Sequence, residues 1–504
     1  MNKVLKGLVA VAATAAMAIA GFAGASTAMA EENTTATTNP TITFPTDTKY
    51  QDHTYEVYQI FTGDLSDGVL SNVKYGENGA KTKGTEVTAA ELKKLTDVNV
   101  AGKTDQDKLD VIKTFANLSS PIATLTKTST TYTAAPGYYL IKDKDGSVIG
   151  NDANTLYITK VVGDVIISPK SDVPSFEKKV QDTNDTTGDT SGWQDSADYD
   201  INDKVPFQLK ATLPKNYTDY KTYYLAFHDV EEKGLSFNAN SVKVAVNGEP
   251  ITTGYEVKTT DLPDGCTFEV VFTDLKTAVA AATNESVITV DYTSTLTEQA
   301  VLGNQGNVNK AQLQFSNNPN SEQGGESTPT GETPWDNVIV FTYKVVVNKV
   351  KENEEALAGA AFKLEKKLKD GTTTPVKEFA AGKDTSFTFS GLDDGDYILT
   401  ETTTPAGYNT IKPITFTVTA NHNIEWIGER TDVLTELSGN AASGEITFTA
   451  GKTAGSLTTN VVNVEGSNLP STGGMGTVML YVAGVAVFVL AGATLVMALR
   501  RRNA

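Results

Sequence analysis

The residue types that usually carry chemistry are scarce and scattered in this chain of 504 residues. Its three histidines, His53, His228 and His422, and its one cysteine, Cys266, stand far apart in sequence. That spacing predicts no zinc, haem or iron–sulfur site. Cys266 has no partner for an intrachain disulfide, so any covalent staple must come from other chemistry. Neither Gly-x-Ser-x-Gly nor His-Glu-x-x-His occurs, and so few histidines leave little for acid–base work, so no enzyme is expected. Two other sets of residues do offer chemistry. One is the pentapeptide Leu469-Pro470-Ser471-Thr472-Gly473, where Pro470 fixes an extended, kinked backbone that an enzyme cleft can grip. The other is lysine in strand-like alternation: Phe176, Lys178 and Val180 share one face, so Lys178 points inward and Lys179 outward. An ammonium is no nucleophile, but burial lowers a lysine pKa and frees its lone pair, while the same burial raises a carboxyl pKa.

The elements that must position these residues follow from composition. A formal net charge of −19 repels phosphate backbones and excludes nucleic acid as a partner. Residues 1–30 carry Lys3 and Lys6, an apolar stretch through Phe22, and Ala28-Met29-Ala30. This is the pattern of a signal peptide cut after Ala30. After the pentapeptide, an apolar run over 477–499 precedes Arg500-Arg501-Arg502. Its 23 residues as a helix span about 35 Å, enough for a membrane's hydrocarbon core. The arginines stay cytoplasmic and leave Thr472 outside. Between these signals the chain is rich in Thr and Val, in short alternating runs broken by Asp-Gly, Asn-Gly and Pro. It reads as mainly β, with tandem immunoglobulin-like β-sandwiches. The main helical candidate is 89–118, interrupted near Gly102. Boundaries at Pro169–Pro174 and Trp335–Val345 predict three domains, 31–170, 171–343 and 344–465, followed by the tail 469–504.

Pentapeptide, apolar span and basic tail, in that order, resemble a sortase cell-wall sorting signal, which is cut between Thr and Gly and joined through the threonyl carbonyl to an amine. The third domain resembles the collagen-adhesin B-type module. The likeness rests on the first strand Val345–Val350, on Leu357–Phe362, on Gly395–Tyr408 and on Val461-Val462-Asn463. Tyr397-x-Leu-x-Glu401-x-x-x-Pro405-x-Gly-Tyr408 looks like that family's E-box. The resemblance implies an intramolecular isopeptide bond between Lys349 and Asn463, assisted by Glu401. The middle domain resembles the family's second isopeptide-forming module, through 174–180, 227–237 and 311–319. There it implies Lys178 and Asn317, with Asp229 as the assisting acid. Ala311, Leu313, Phe315 and Asn317 share a face, which favours Asn317 over Asn318. Lys179 and Asn318 remain the alternatives. His228, next to Asp229, is expected at the surface.

The first domain looks like the N-terminal domain of sortase-assembled pilins, through Tyr55–Phe61 and Gly137–Lys142. Its first strand, Thr41–Phe44, has no lysine, so no isopeptide is expected in it. Its end, Asp164–Lys170, resembles the pilin motif whose lysine receives the next subunit's threonine, although Ser168 stands where the family usually has Tyr. Taken together, the resemblance is to the backbone subunit of a Gram-positive sortase-assembled pilus, with Thr472 joined to Lys170 of the neighbour. The implied partners are pilin-type (class C) and housekeeping sortases, identical subunits, minor pilins, peptidoglycan and host surface ligands. No cofactor and no metal is implied. A monomeric wall-anchored adhesin or minor pilin is the alternative.

Overall fold

In Lys204–Thr212 every second residue, Val205, Phe207, Leu209 and Ala211, is apolar and buried, while those between face outward. That period of two is the signature of a strand with one face on a core, and it recurs along the chain. In a computed structural model the described residues are 39–466, apart from 67–68, 99–102, 104, 149–151, 170–171, 263–264, 322 and 427, together with 485, 487–495 and 497. The architecture is the mainly β, tandem-sandwich arrangement that the alternation predicts.

The N-terminal part pairs a five-stranded sheet with a three-stranded one. Its principal strands are β1 (Thr41–Thr43), β2 (Tyr55–Ser66), β3 (Gly137–Asp143) and β4 (Leu156–Val161). Two helices, α1 (Ala89–Val98) and α2 (Asp105–Lys113), bury Leu95, Leu109 and Ile112 against the larger sheet. Thr88 and Glu91 start α1 as a reciprocal cap, with Thr88 N donating to Glu91 Oε2 at 2.9 Å and Glu91 N to Thr88 Oγ1 at 3.4 Å.

The middle part packs two seven-stranded sheets face to face. One contains β5 (Ser175–Thr183), β7 (Lys204–Thr212) and β10 (Val287–Leu296), antiparallel in that spatial order. The other contains, in spatial order, β6 (Ser196–Asp198), β12 (Asp336–Phe341), β11 (Asn307–Ser316), β8 (Leu225–Glu231) and β9 (Phe268–Phe272). The C-terminal part has a four-stranded sheet, in which β13 (Tyr343–Lys351) lies between β15 (Ser386–Leu392) and β18 (Ser456–Asn463). Facing it is a five-stranded sheet with β14 (Ala361–Lys367), β16 (Gly395–Thr403) and β17 (Ile414–His422).

Only Thr342 separates β12 from β13, and Ile339 and Phe341 of β12 belong to the C-terminal core. The two sandwiches are therefore fused through a continuous strand rather than hinged on a linker. Backbones touch there as well. Gly303 (φ 77°) and Gly455 (φ 60°) approach so closely that a Cβ on either would lie 2.4 Å from the other's nitrogen. Both also need the left-handed conformation that glycine alone adopts without strain.

Candidate crosslinking sites

In the middle sandwich Lys178 leaves β5 toward the core and is fully buried. It crosses to Asp229 on β8 of the opposite sheet, Nζ to Oδ2 at 2.5 Å, and donates to the Tyr292 hydroxyl of β10 at 2.6 Å. Tyr292 donates to Asp229 Oδ2 at 2.7 Å and accepts from Asn309 Nδ2 of β11 at 2.9 Å. One hydroxyl thus uses its proton and both lone pairs to hold an amine, a carboxyl and an amide around itself. Asp229 Oδ1 and Asn309 Oδ1 are buried without a hydrogen-bond partner. Burial lowers the pKa of Lys178 and raises that of Asp229, although each partner pulls the other back. Glu231, behind them, is pushed up to about 8 by burial and then by Asp229. The phenyl faces of Phe207 and Tyr292 each lie 5.2 Å from the Lys178 ammonium.

The expected partner Asn317 is elsewhere. β11 pairs Ala311 with Asp229, so Asn317 lies roughly 20 Å further along the sheet at strand rise. Its Nδ2 donates to the Asp152 carbonyl of the N-terminal part at 3.3 Å, and its own carbonyl accepts from Asn154 N at 2.6 Å. Asn318 accepts from Asn320 N in a turn. Alternation named the right face, since 309, 311, 313, 315 and 317 all share it, but alternation carries no information about position along the strand. Asn309 is the asparagine that shares the Tyr292 hydroxyl with Lys178. Lys179 points away from it, to Asp195 at 2.6 Å.

In the C-terminal sandwich β13 and β18, first and last, run parallel with Lys349 opposite Val461. Lys349 is fully buried, donates to the Val461 carbonyl at 2.8 Å, and has its pKa lowered to about 8 by burial. Asn463, on the same face of β18 and also fully buried, donates Nδ2 to both oxygens of Glu401 on β16, at 3.0 and 3.2 Å. Its Oδ1 has no hydrogen-bond partner. Thr404 Oγ1 and Ile411 N hold Glu401 Oε2 from the other side, each at 3.2 Å.

Ala30, Lys170 and the pentapeptide Leu469–Gly473 lie outside the described residues. So does most of the expected span 477–499, of which 485, 487–495 and 497 are helical. No helix among the described residues is long and apolar enough to cross a membrane. His228 faces away from Asp229 but is only 4% exposed, so it is buried rather than at the surface. It is not isolated either, because the fold brings it to Cys266 and Glu269.

The sequence reading also passed over a third buried lysine, Lys366 of β14. It is fully buried and bound by Asp393, by Asp200 at 2.8 Å and by Asp185 at 3.2 Å. Asp200 and Asp185 come from the middle sandwich, so this ammonium pins the joint. His422 sits beside it, with Nδ1 2.7 Å from Ser196 Oγ and Nε2 3.6 Å from both Asp182 and Asp198. Arg430 clasps Glu232 with two hydrogen bonds, at 2.8 and 2.6 Å.

Fold and sites together define a tandem β-sandwich protein with a buried lysine facing a carboxyl and an asparagine in two successive sandwiches. Residues 201–319 match the family model of the Gram-positive pilin backbone subunit 2, Cna-B-like domain. Residues 343–430 match the SpaA prealbumin-like fold domain. The chain is 29% identical over 267 residues to the trypsin-resistant surface T6 protein of Streptococcus pyogenes serotype M6, covering 50% of this chain and 47% of the relative. It thus spans about half the length of the curated relative it matches. Among solved structures, the T6 backbone pilin of the same serotype gives a TM-score of 0.50 at 17% identity, over 85% of this chain and 98% of that one. The major pilin SpaD of Corynebacterium diphtheriae gives 0.47 at 16%, over 85% and 98%. The middle part of the chain is thus similar to a Gram-positive pilin backbone domain, and the C-terminal part to a prealbumin-like fold domain.

Proposed function

We propose that this protein is the structural backbone subunit of a covalently polymerised, sortase-assembled surface pilus. The observation that carries the reading is the pair of buried Lys–carboxyl–Asn constellations within pilin-backbone domains. In the middle sandwich the bond is Lys178–Asn309, and in the C-terminal one Lys349–Asn463. The neutral amine attacks the asparagine carbonyl carbon, a C–N bond forms, the bond to Nδ2 breaks, and ammonia leaves with the displaced proton. Asp229, which burial biases toward its neutral form, assists the first reaction by stabilising the developing oxyanion, and Glu401, in contact with the Asn463 amide, is the assisting group of the second. Each bond forms once within its own domain, so the protein turns over no substrate. Polymerisation uses Thr472 as acyl donor and Lys170 as acceptor amine, with a polymerising sortase, and a housekeeping sortase attaches the chain to peptidoglycan.

An immunoblot of wall extracts tests assembly. A high-mass ladder that survives boiling in detergent supports a polymer, and one sharp band means an anchored adhesin instead. Lys170→Ala should abolish the ladder and leave monomer on the wall, whereas Thr472→Ala should remove both. A full ladder from Lys170→Ala would assign the acceptor role to another lysine.

A further inference from the structure

The outer face of β8 carries a constellation that the crosslinking chemistry does not use. His228 and Asp229 are consecutive in an extended strand, so their side chains leave on opposite faces. Antiparallel pairing sets Glu269 of β9 directly across from His228. Cys266 lies two residues before β9, on a backbone pinned at Thr267. Thr267 N donates to the Asp229 carbonyl at 2.7 Å, and its Oγ1 accepts from Glu231 N at 2.8 Å. His228 Nδ1 is 2.8 Å from Glu269 Oε1 and 3.7 Å from Cys266 Sγ, and one ligand atom from each residue lies within 4.8 Å of the others. His228 and Glu269 are buried, while Cys266 keeps part of its surface exposed. The other imidazole nitrogen, Nε2, is buried without a hydrogen-bond partner, so the polar contacts of this ring are concentrated on the cluster.

We propose that His228, Cys266 and Glu269 bind a divalent transition metal of the zinc type, with water as the fourth ligand on the exposed, cysteine side. Imidazole, thiolate and carboxylate are the zinc donor set, and the softness of sulfur disfavours calcium and magnesium. Metal–ligand bonds of roughly 2.0–2.3 Å in a tetrahedron put ligand atoms about 3.3–3.8 Å apart. The nitrogen–sulfur separation already fits, and the nitrogen–oxygen pair opens by about 0.5 Å through a turn of the glutamate side chain. Binding releases the Cys266 proton to solvent and leaves one thiolate, one carboxylate and one neutral imidazole on the dication, so affinity rises with pH. The site is independent of polymerisation and of either amide bond.

The full chain titrated with Co2+ tests this. One equivalent should give a thiolate-to-cobalt charge-transfer band with four-coordinate visible bands, and Zn2+ should displace both. Cys266→Ser should lose the charge-transfer band. His228→Gln should weaken binding by more than the roughly 10–100-fold typical of losing a mere outer-shell partner. A second readout does not depend on the buried variants folding. Zn2+ should slow alkylation of wild-type Cys266 by about tenfold or more, because the attacking lone pair is then held by the metal. Absence of the band, its survival in Cys266→Ser, or alkylation indifferent to Zn2+ would overturn the proposal.

Discussion

Lys178, Lys349 and Lys366 are each fully buried, yet their surroundings prepare them for opposite fates. Burial depresses the pKa of the first two, which favours the neutral, nucleophilic amine. At Lys366 burial works the same way, but Asp393 and Asp200 outweigh it and raise the pKa, so this lysine stays an ammonium. The expected intact mass of the chain is therefore lower than calculated by two ammonias and not by a third loss at Lys366. Glu401→Ala should retain one of those ammonias and Asp229→Ala the other; an unmodified wild-type mass would refute both bonds. Lys366→Met should instead cost about 3–5 kcal/mol in denaturant unfolding, because it leaves buried carboxylates without their cation. A neutral result there would show that the carboxylates are already protonated. The inward Lys178 was legible in simple alternation. Lys366 was just as visible in principle, sharing a face with Phe362 and Leu364. A lysine at a strand end ordinarily snorkels to water, however, and its three aspartates lie up to 181 residues away in sequence. Tyr292 was hidden for a similar reason, since an inward tyrosine in a strand reads as core until its hydroxyl's partners are known.

The two proposed crosslinks would tie different kinds of element. Lys349 and Asn463 lie on adjacent parallel strands of one sheet, with the acid supplied from the other sheet. Lys178 and Asn309 lie on opposite sheets and span the core. Either bond would close a loop of more than a hundred residues, 131 for Lys178–Asn309 and 114 for Lys349–Asn463. By the loop-closure treatment used for disulfides, such loops contribute roughly 5 kcal/mol each. Asn309→Ala should retain one ammonia and give up stability of about that size, with protease cutting between the separated sheets; Asn317→Ala should change neither the mass nor the core. A normal mass in Asn309→Ala would remove Asn309 from the reaction. Strand identity and facing were readable from the sequence because they need only a period of two. Register was not, because it is decided by which strand lies opposite. The same limit explains the His228–Cys266–Glu269 cluster: His228 and Cys266 are 38 residues apart in sequence and meet only through the pairing of β8 with β9.

At the scale of the molecule, the joint between the middle and C-terminal sandwiches gathers acid. Asp182 is pushed up to about 8 by burial and then Asp198, Asp394 to about 7 and Asp203 to about 6, each chiefly by burial. His422 is raised as well, burial being outweighed by Asp198 and Asp182. In the unfolded chain these groups titrate near ~3.9 and ~6.5, so the docked state holds more protons. The stabilisation is then complete below about pH 4 for the acids and about 6.5 for the histidine, and it fades as pH climbs through the raised values. The melting temperature of the joined sandwiches should fall between pH 6 and 8, less steeply in Asp182→Asn; a rise over that range would show the cluster to be ionised when docked. The position of Asn309 has a further consequence under load. With both amides formed, tension passing from Lys170 to Thr472 bypasses the loops they close and falls on residues 310–348 between them. Those 39 residues include most of β11 and all of β12, with a contour of up to roughly 130 Å. In a single-molecule pull from residue 170 to residue 472 this segment should give the one reversible lengthening of the two sandwiches, set by peeling β11 and β12 and breaking the Lys366 joint. A fibre of such subunits would absorb a sudden tug as recoverable stretch in every subunit and spring back as the strands re-pair, with no covalent bond at risk.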